Sequence, residues 1–154
     1  MNQSKPTSSF EDLEVYLEAR RFRKAMYEVS RRLPECEKEE MGSQIRCASL
    51  SLTSRLAAAH GRSPQSDQIR LLLQARGSAH QLIDYLNAAA DEQYLGQPEI
   101  DRLKAQAWQV LQLLSDYVGS LREDTNGQTP QRREVASRFG ELDSDIEQWI
   151  KSIT

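Results

Sequence analysis

The sequence is short of most of what covalent scaffolding or specialised chemistry requires. Its 154 residues include two cysteines, two histidines, five prolines and seven glycines, and aromatics make up only 6%. Cys36 and Cys47 cannot build a disulfide framework and stand at no metal-type spacing from His60 and His80. Di-metal sites in helix bundles use Glu-x-x-His pairs. Here the residues three before the histidines are Ala57 and Gly77. Glycine-rich phosphate loops are missing too. No apolar run approaches the roughly 20 residues that span a bilayer, and the opening MNQSKPTSS has no apolar stretch of the secretory type. A reduced, cytoplasmic chain with no metal, no cofactor and no membrane partner is therefore expected. Charge of one sign is lacking as well: 20 lysines and arginines face 23 acids, for a net charge of -3. That balance argues against a module that is basic all over, the usual footprint of nucleic-acid binding.

What is present is helical periodicity. Ser8 and Glu11 stand at capping-box spacing, which predicts a helix start there. Val15, Ala19, Phe22, Met26, Val29 and Leu33 then recur at steps of four and three up to Pro34. A second seam, Met41, Ile45, Ala48, Leu52, Leu56 and Ala59, follows an acidic start in Glu35–Glu40 and stops at Gly61. Ser63-Pro64 predicts the third helix, with Ile69, Leu72, Arg76, Ala79, Ile83, Leu86 and Ala90 inward and Gly96 as its end. Pro98 opens the fourth, whose seam is Ile100, Leu103, Ala107, Val110, Leu114, Tyr117 and Leu121. After a polar stretch, Thr129-Pro130 predicts a fifth helix with Val135, Phe139, Leu142, Ile146, Trp149 and Ile153 inward. The expected fold class is all-α, an up-down-up-down four-helix bundle with an additional C-terminal helix. Its organisation reads as a disordered N-terminus over 1–8, the bundle over 9–121, a linker over 122–129 and a helical extension over 130–154.

Several residues fall on the wrong faces for an isolated bundle. At about 100° per residue, Leu13, Leu17 and Tyr27 lie opposite the core seam of the first helix, together with Arg20, Lys24 and Arg31. Leu50 and Trp108 are also far from their seams. The expectation is a second buried surface formed between copies of the chain. Arg55 and Arg76 sit on the second and third core seams, where an unpaired guanidinium would be costly. They are expected to act structurally, by snorkelling to a bundle end or by pairing across helices with Asp84 or Asp91 as candidate partners, and anion binding is the alternative.

Arg20, Arg21, Arg23, Lys24, Arg31 and Arg32 crowd one segment, with Glu28 the only acid among them. Such a stripe can contact successive phosphates, so these six are the candidate nucleic-acid-binding residues. Candidate catalytic groups are fewer. Ser49, Ser51 and Ser54 suit close helix packing, and Cys47 reads as a small buried hydrophobe. His60 reads as a helix-terminating residue, and His80 as exposed or at a helix contact. No catalytic residue is assigned, and the chain is expected not to be an enzyme.

A family resemblance rests on motifs in fixed order. Phe10-Glu-Asp-Leu-Glu-Val-Tyr16 opens the first helix, and Tyr27 precedes Leu33-Pro34. Glu37, Gly42 and Gln44-Ile45-Arg46 follow, then Ser49, Ser51, Leu56-Ala57 and Gly61-Arg62, then Ala75-Arg76-Gly77-Ser78. Over roughly 10–121 the chain resembles the four-helix-bundle family of 23S rRNA intervening-sequence proteins, related to accessory variability proteins of diversity-generating retroelements. The resemblance implies a left-handed bundle that assembles as a homopentamer without enzymatic activity. For the retroelement relatives it implies adaptors that bind a reverse transcriptase and nucleic acid. The chain departs from the pattern at Cys47, where a second arginine is usual, and at Arg55–Gly61, where Asn-Ile-Ala-Glu-Gly is usual. Residues 122–154 extend beyond the family core. The combined expectation is a homopentameric scaffold or adaptor binding a protein partner. The alternative is a nucleic-acid-binding accessory protein that uses the basic stripe.

Overall fold

The computed structural model describes residues 9–124. The expected disordered segment 1–8, the later part of the linker and the expected C-terminal helix lie outside the described residues. The chain divides into two compact units, Met1–Leu114 and Ser115–Thr154. The described elements are a 3-10 turn, Phe10–Asp12, and five helices: α1 (Glu14–Arg32), α2 (Glu35–Lys38), α3 (Met41–Ala59), α4 (Gln65–Asp91) and α5 (Gln97–Glu123).

Four long helices form the bundle. In the first unit α3 packs between α1 and α4. The initial part of α5 closes the ring, reaching α1 through Arg32 and Glu99 and α4 through His80 and Trp108. The α1 seam is buried as its spacing predicts, from Val15 to Leu33, with Phe22 and Met26 fully enclosed. Ile45, Ala48, Leu52, Leu56 and Ala59 of α3 are buried, as are Ile100, Leu103, Ala107, Val110 and Leu114 of α5. In the second unit Val118 is buried and Tyr117, expected on the seam, is half-buried.

The α4 phase differs from the expectation. Its inward stripe is Gln68, Leu72, Ala75, Ala79, Leu82, Leu86 and Ala89. Ala75, Leu82 and Ala89 take the places assigned to Arg76, Ile83 and Ala90, which are half-buried. The runs Leu71–Leu73 and Ala88–Ala90 accept either phase. Packing decides, because a rotation that centres alanine spares the guanidinium from burial.

The helix ends also correct the sequence reading. The Ser9 hydroxyl caps the 3-10 turn by accepting from the Glu11 amide at 3.3 Å, and Leu13 is extended, so α1 starts only at Glu14. Phe10 packs edge-to-face on Tyr16, ring centres 5.0 Å apart, which holds the turn against α1. Pro64, rather than Ser63, is the residue preceding α4, and its carbonyl accepts from Asp67. Gly96 does not end α4. A Schellman motif does: the Tyr94 amide donates to Ala89 and the Gln93 amide to Ala90, with Gln93 at φ 58. The Gly96 carbonyl instead accepts from Glu99 and Ile100 at the start of α5.

Candidate functional site

Chemistry-bearing side chains are dispersed. Ser49 is buried and donates to the Ile45 carbonyl at 2.7 Å, while Ser54 donates to Ser51. Both hydroxyls are thus occupied by their own helix. Cys47 is exposed, not the buried hydrophobe expected, and so is Cys36. His60 is the residue that terminates α3. His80 lies edge-on to Trp108, ring centres 6.1 Å apart. Partial desolvation of the ring where it meets Trp108, and then the Arg76 cation, push the imidazole of His80, an otherwise exposed residue, below its ordinary value. Among the described residues no group of three or more His, Cys, Asp or Glu is placed to hold a metal ion. No helix among them is long and apolar enough to cross a membrane.

The seam arginine of α3 has its partner on α4, and that partner is not an acid. Arg55 Nη1 donates to the Ser78 hydroxyl at 2.7 Å and to the Gln74 carbonyl at 3.3 Å. Asp84 and Asp91, the candidates from sequence, are exposed. The α1–α3 seam repeats the device, as Arg23 Nη1 donates to Thr53 Oγ1 at 2.7 Å. Each guanidinium spans one helix pair and satisfies a hydroxyl that also bonds its own helix, Ser78 to Gln74 and Thr53 to Leu50. These bonds set helix register without burying a charge.

The outward side of α1 is the distinctive surface. Leu17, Arg20, Lys24 and Arg31 are exposed, while Leu13 and Tyr27 are half-buried. These six recur at steps of 4, 3, 4, 3 and 4, a second seam opposite the core. Arg23, Lys24, Ala25, Tyr27, Glu28 and Arg31 line a shallow hollow there. The basic cluster is partly neutralised. Arg21 pairs with Glu18, Arg31 with Glu28 and Arg32 with Glu99. Arg20 and Lys24 have no such pair among the described residues. Leu50 on α3 is 52% exposed. Trp108, assigned to the outer surface from sequence, is half-buried with its ring engaged inside the chain.

Sequence reasoning missed a matching stripe on α4. Leu73, Gly77, His80, Asp84, Asn87 and Asp91 are all exposed and recur at the same steps of 4, 3, 4, 3 and 4. The signal was in the spacing, but the phase error on α4 hid it. At the end of the bundle formed by the α1–α3 and α4–α5 connections, the Tyr94 hydroxyl donates to Glu37 Oε1 at 3.0 Å. That bond to the carboxylate chiefly pushes the phenol above its ordinary value. In the Arg32–Glu99 pair, the hydrogen bond from Arg32 holds the Glu99 carboxyl below its ordinary value. The Arg32 guanidinium is held above its own.

No curated protein matches the sequence. The family described as 23S rRNA-intervening sequence protein matches residues 11–116, from the 3-10 turn through most of α5 and more than half of the chain, and the chain belongs to that family.

Proposed function

We propose that the protein is a non-enzymatic adaptor that acts in the cytoplasm as a homopentamer and presents its remaining surface to a protein partner. The observation that carries this reading is the second seam of α1. Leu17 is 38% exposed and Leu50 52% exposed, on faces turned away from a complete core. A helix whose two opposite faces both follow bundle spacing has a use for both. The dispersal of serines, cysteines and histidines agrees with a role that needs no nucleophile and base. The family resemblance supplies the number five.

Light scattering on the eluting protein at micromolar concentration tests this. The expected mass is about five times the 17.6 kDa chain. A single species of chain mass overturns it. A second reading, nucleic-acid binding through α1, is favoured by Arg20 and Lys24, whose charges are not matched by a carboxylate among the described residues. It requires affinity for RNA or DNA that falls steeply with salt. No binding to either at 50 mM salt, roughly the lower end of the range where phosphate contacts are strongest, removes it.

A further inference from the structure

The outer seam of α1 and the exposed stripe of α4 match each other in spacing, in polarity and in charge. On α1 the order from the N-terminal end is leucine, leucine, arginine, lysine, tyrosine, arginine. On α4 it is leucine, glycine, histidine, aspartate, asparagine, aspartate. The positions differ by a constant 60 residues, from 13 and 73 to 31 and 91. In each stripe the first and last positions are 18 residues apart, about 27 Å at the α-helical rise, with Leu13 standing just ahead of the first turn of α1.

We infer that the α1 outer stripe of one copy docks on the α4 outer stripe of a second copy, with the helices parallel and Leu13 level with Leu73. The inference rests on the homo-oligomer reading above and names the two faces that meet. In this register Leu13 covers Leu73, itself 37% exposed in the single chain. Leu17 stands over Gly77, where a Cβ would meet nothing within 4 Å, so the glycine leaves a recess for the leucine. Lys24 faces Asp84 and Arg31 faces Asp91. Neither aspartate has an ion pair among the described residues. Arg31 is held only by Glu28 on its own helix, an exposed pair that exchanges at little cost. Arg20 faces His80, whose imidazole is held below its ordinary value by partial burial and by Arg76, which disfavours a second cation at that level.

Competing arrangements are worse. The antiparallel register keeps one charge pair, Arg20 with Asp84, but sets Leu13 against Asp91 and Arg31 against Leu73, so it loses the leucine pair and the second charge pair. Pairing α1 with the α1 of another copy opposes arginine and lysine to each other in either direction. The fold also suits the parallel choice. In up-down order α1 and α4 run the same way on either side of α3, and both stripes face away from the core. Every copy can then offer α1 to one neighbour and α4 to the next without inversion, a head-to-tail contact of the kind that closes into rings.

The test uses the full chain and light scattering. Lys24→Glu with Arg31→Glu is expected to reduce the assembly to the 17.6 kDa chain mass. Asp84→Lys with Asp91→Lys is expected to do the same. Combining all four substitutions restores opposite charges and is expected to restore the wild-type mass. All four sites are exposed, so far-ultraviolet circular dichroism should be unchanged throughout. Independently, Leu17→Cys with Gly77→Cys, in a Cys36→Ser and Cys47→Ser background, is expected to form disulfide-linked ladders on mild oxidation. Either two-site variant keeping wild-type mass, a combined variant that stays at chain mass, or an assembled cysteine pair that forms no ladder overturns the inference. A wild-type chain that is itself monomeric overturns instead the oligomer reading on which it rests.

Discussion

The two ends of the bundle are built differently. At the end holding the α1–α3 and α4–α5 connections, backbone and side chains are tied together. Glu37 on α2 accepts from Tyr94, Arg32 on α1 pairs with Glu99 on α5, and Gly42 is buried where backbone segments approach closely. A Cβ at Gly42 would lie 3.3 Å from the Glu37 carbonyl oxygen and 3.4 Å from that of Ser30. At the opposite end the α3–α4 connection, Gly61 to Pro64, is exposed throughout and turns on the hydrogen bond that the Arg62 amide donates to the Ala59 carbonyl. Both connections need a residue in the left-handed region, Gly61 at φ 70 and Gln93 at φ 58. The open end uses glycine for it. The tied end places a glutamine there, and its neighbour Tyr94 reaches Glu37. Local backbone strain is tolerated where surrounding contacts over-determine the conformation.

Three measurements sharpen or break this contrast. The largest effect is expected for Gly42→Val, which forces a branched side chain against the backbone carbonyls of Glu37 and Ser30. A loss of about 2 kcal/mol is expected, seen as a lower urea midpoint. An unchanged midpoint would mean that the close approach at the tied end is soft. Next come the two left-handed residues, with opposite signs. Gly61→Ala should cost about 1 kcal/mol through conformation alone, since the space around it is open. Gln93→Gly should gain roughly 0.5 kcal/mol by relieving the same strain. Equal signs in the two melts would refute the account of Gln93.

The smallest effect concerns the ion pair at the tied end. The Glu99 carboxyl titrates below its unfolded value, so its contribution is present above the ordinary carboxylate range and is lost as pH falls through the folded value. The pair is solvent-accessible, so Glu99→Gln should cost only a few tenths of a kcal/mol at neutral pH. Melting curves of the variant and wild type should converge in acid. A gap that persists there would assign the loss to packing rather than charge.

Legibility in the sequence follows how sharply each helix divides polar from apolar residues. α1 alternates arginines and glutamates with a clean apolar seam, so both its faces, including Leu13, Leu17 and Tyr27, were readable. α3 carries only two charges, Arg46 and Arg55, among small and apolar residues. Its rotation is weakly marked, so the spacing does not show that Cys47 is exposed. On α4 the leucine and alanine runs make neighbouring phases nearly equivalent, so spacing alone does not single out the stripe from Leu73 to Asp91. The partner of Arg55 was illegible for another reason: a hydroxyl and a carbonyl on a neighbouring helix leave no charge signature.

The sequence by itself determined the all-α class, the four bundle helices and the doubled face of α1, because apolar spacing, proline and glycine act over a few neighbouring residues. Only the tertiary structure decided the rotation of α4, the hydroxyl partners of Arg23 and Arg55 and the ties between Glu37, Tyr94, Arg32 and Glu99. Each of those depends on which residues far apart in the chain arrive at the same level of the bundle, and that level is set by packing the core as a whole.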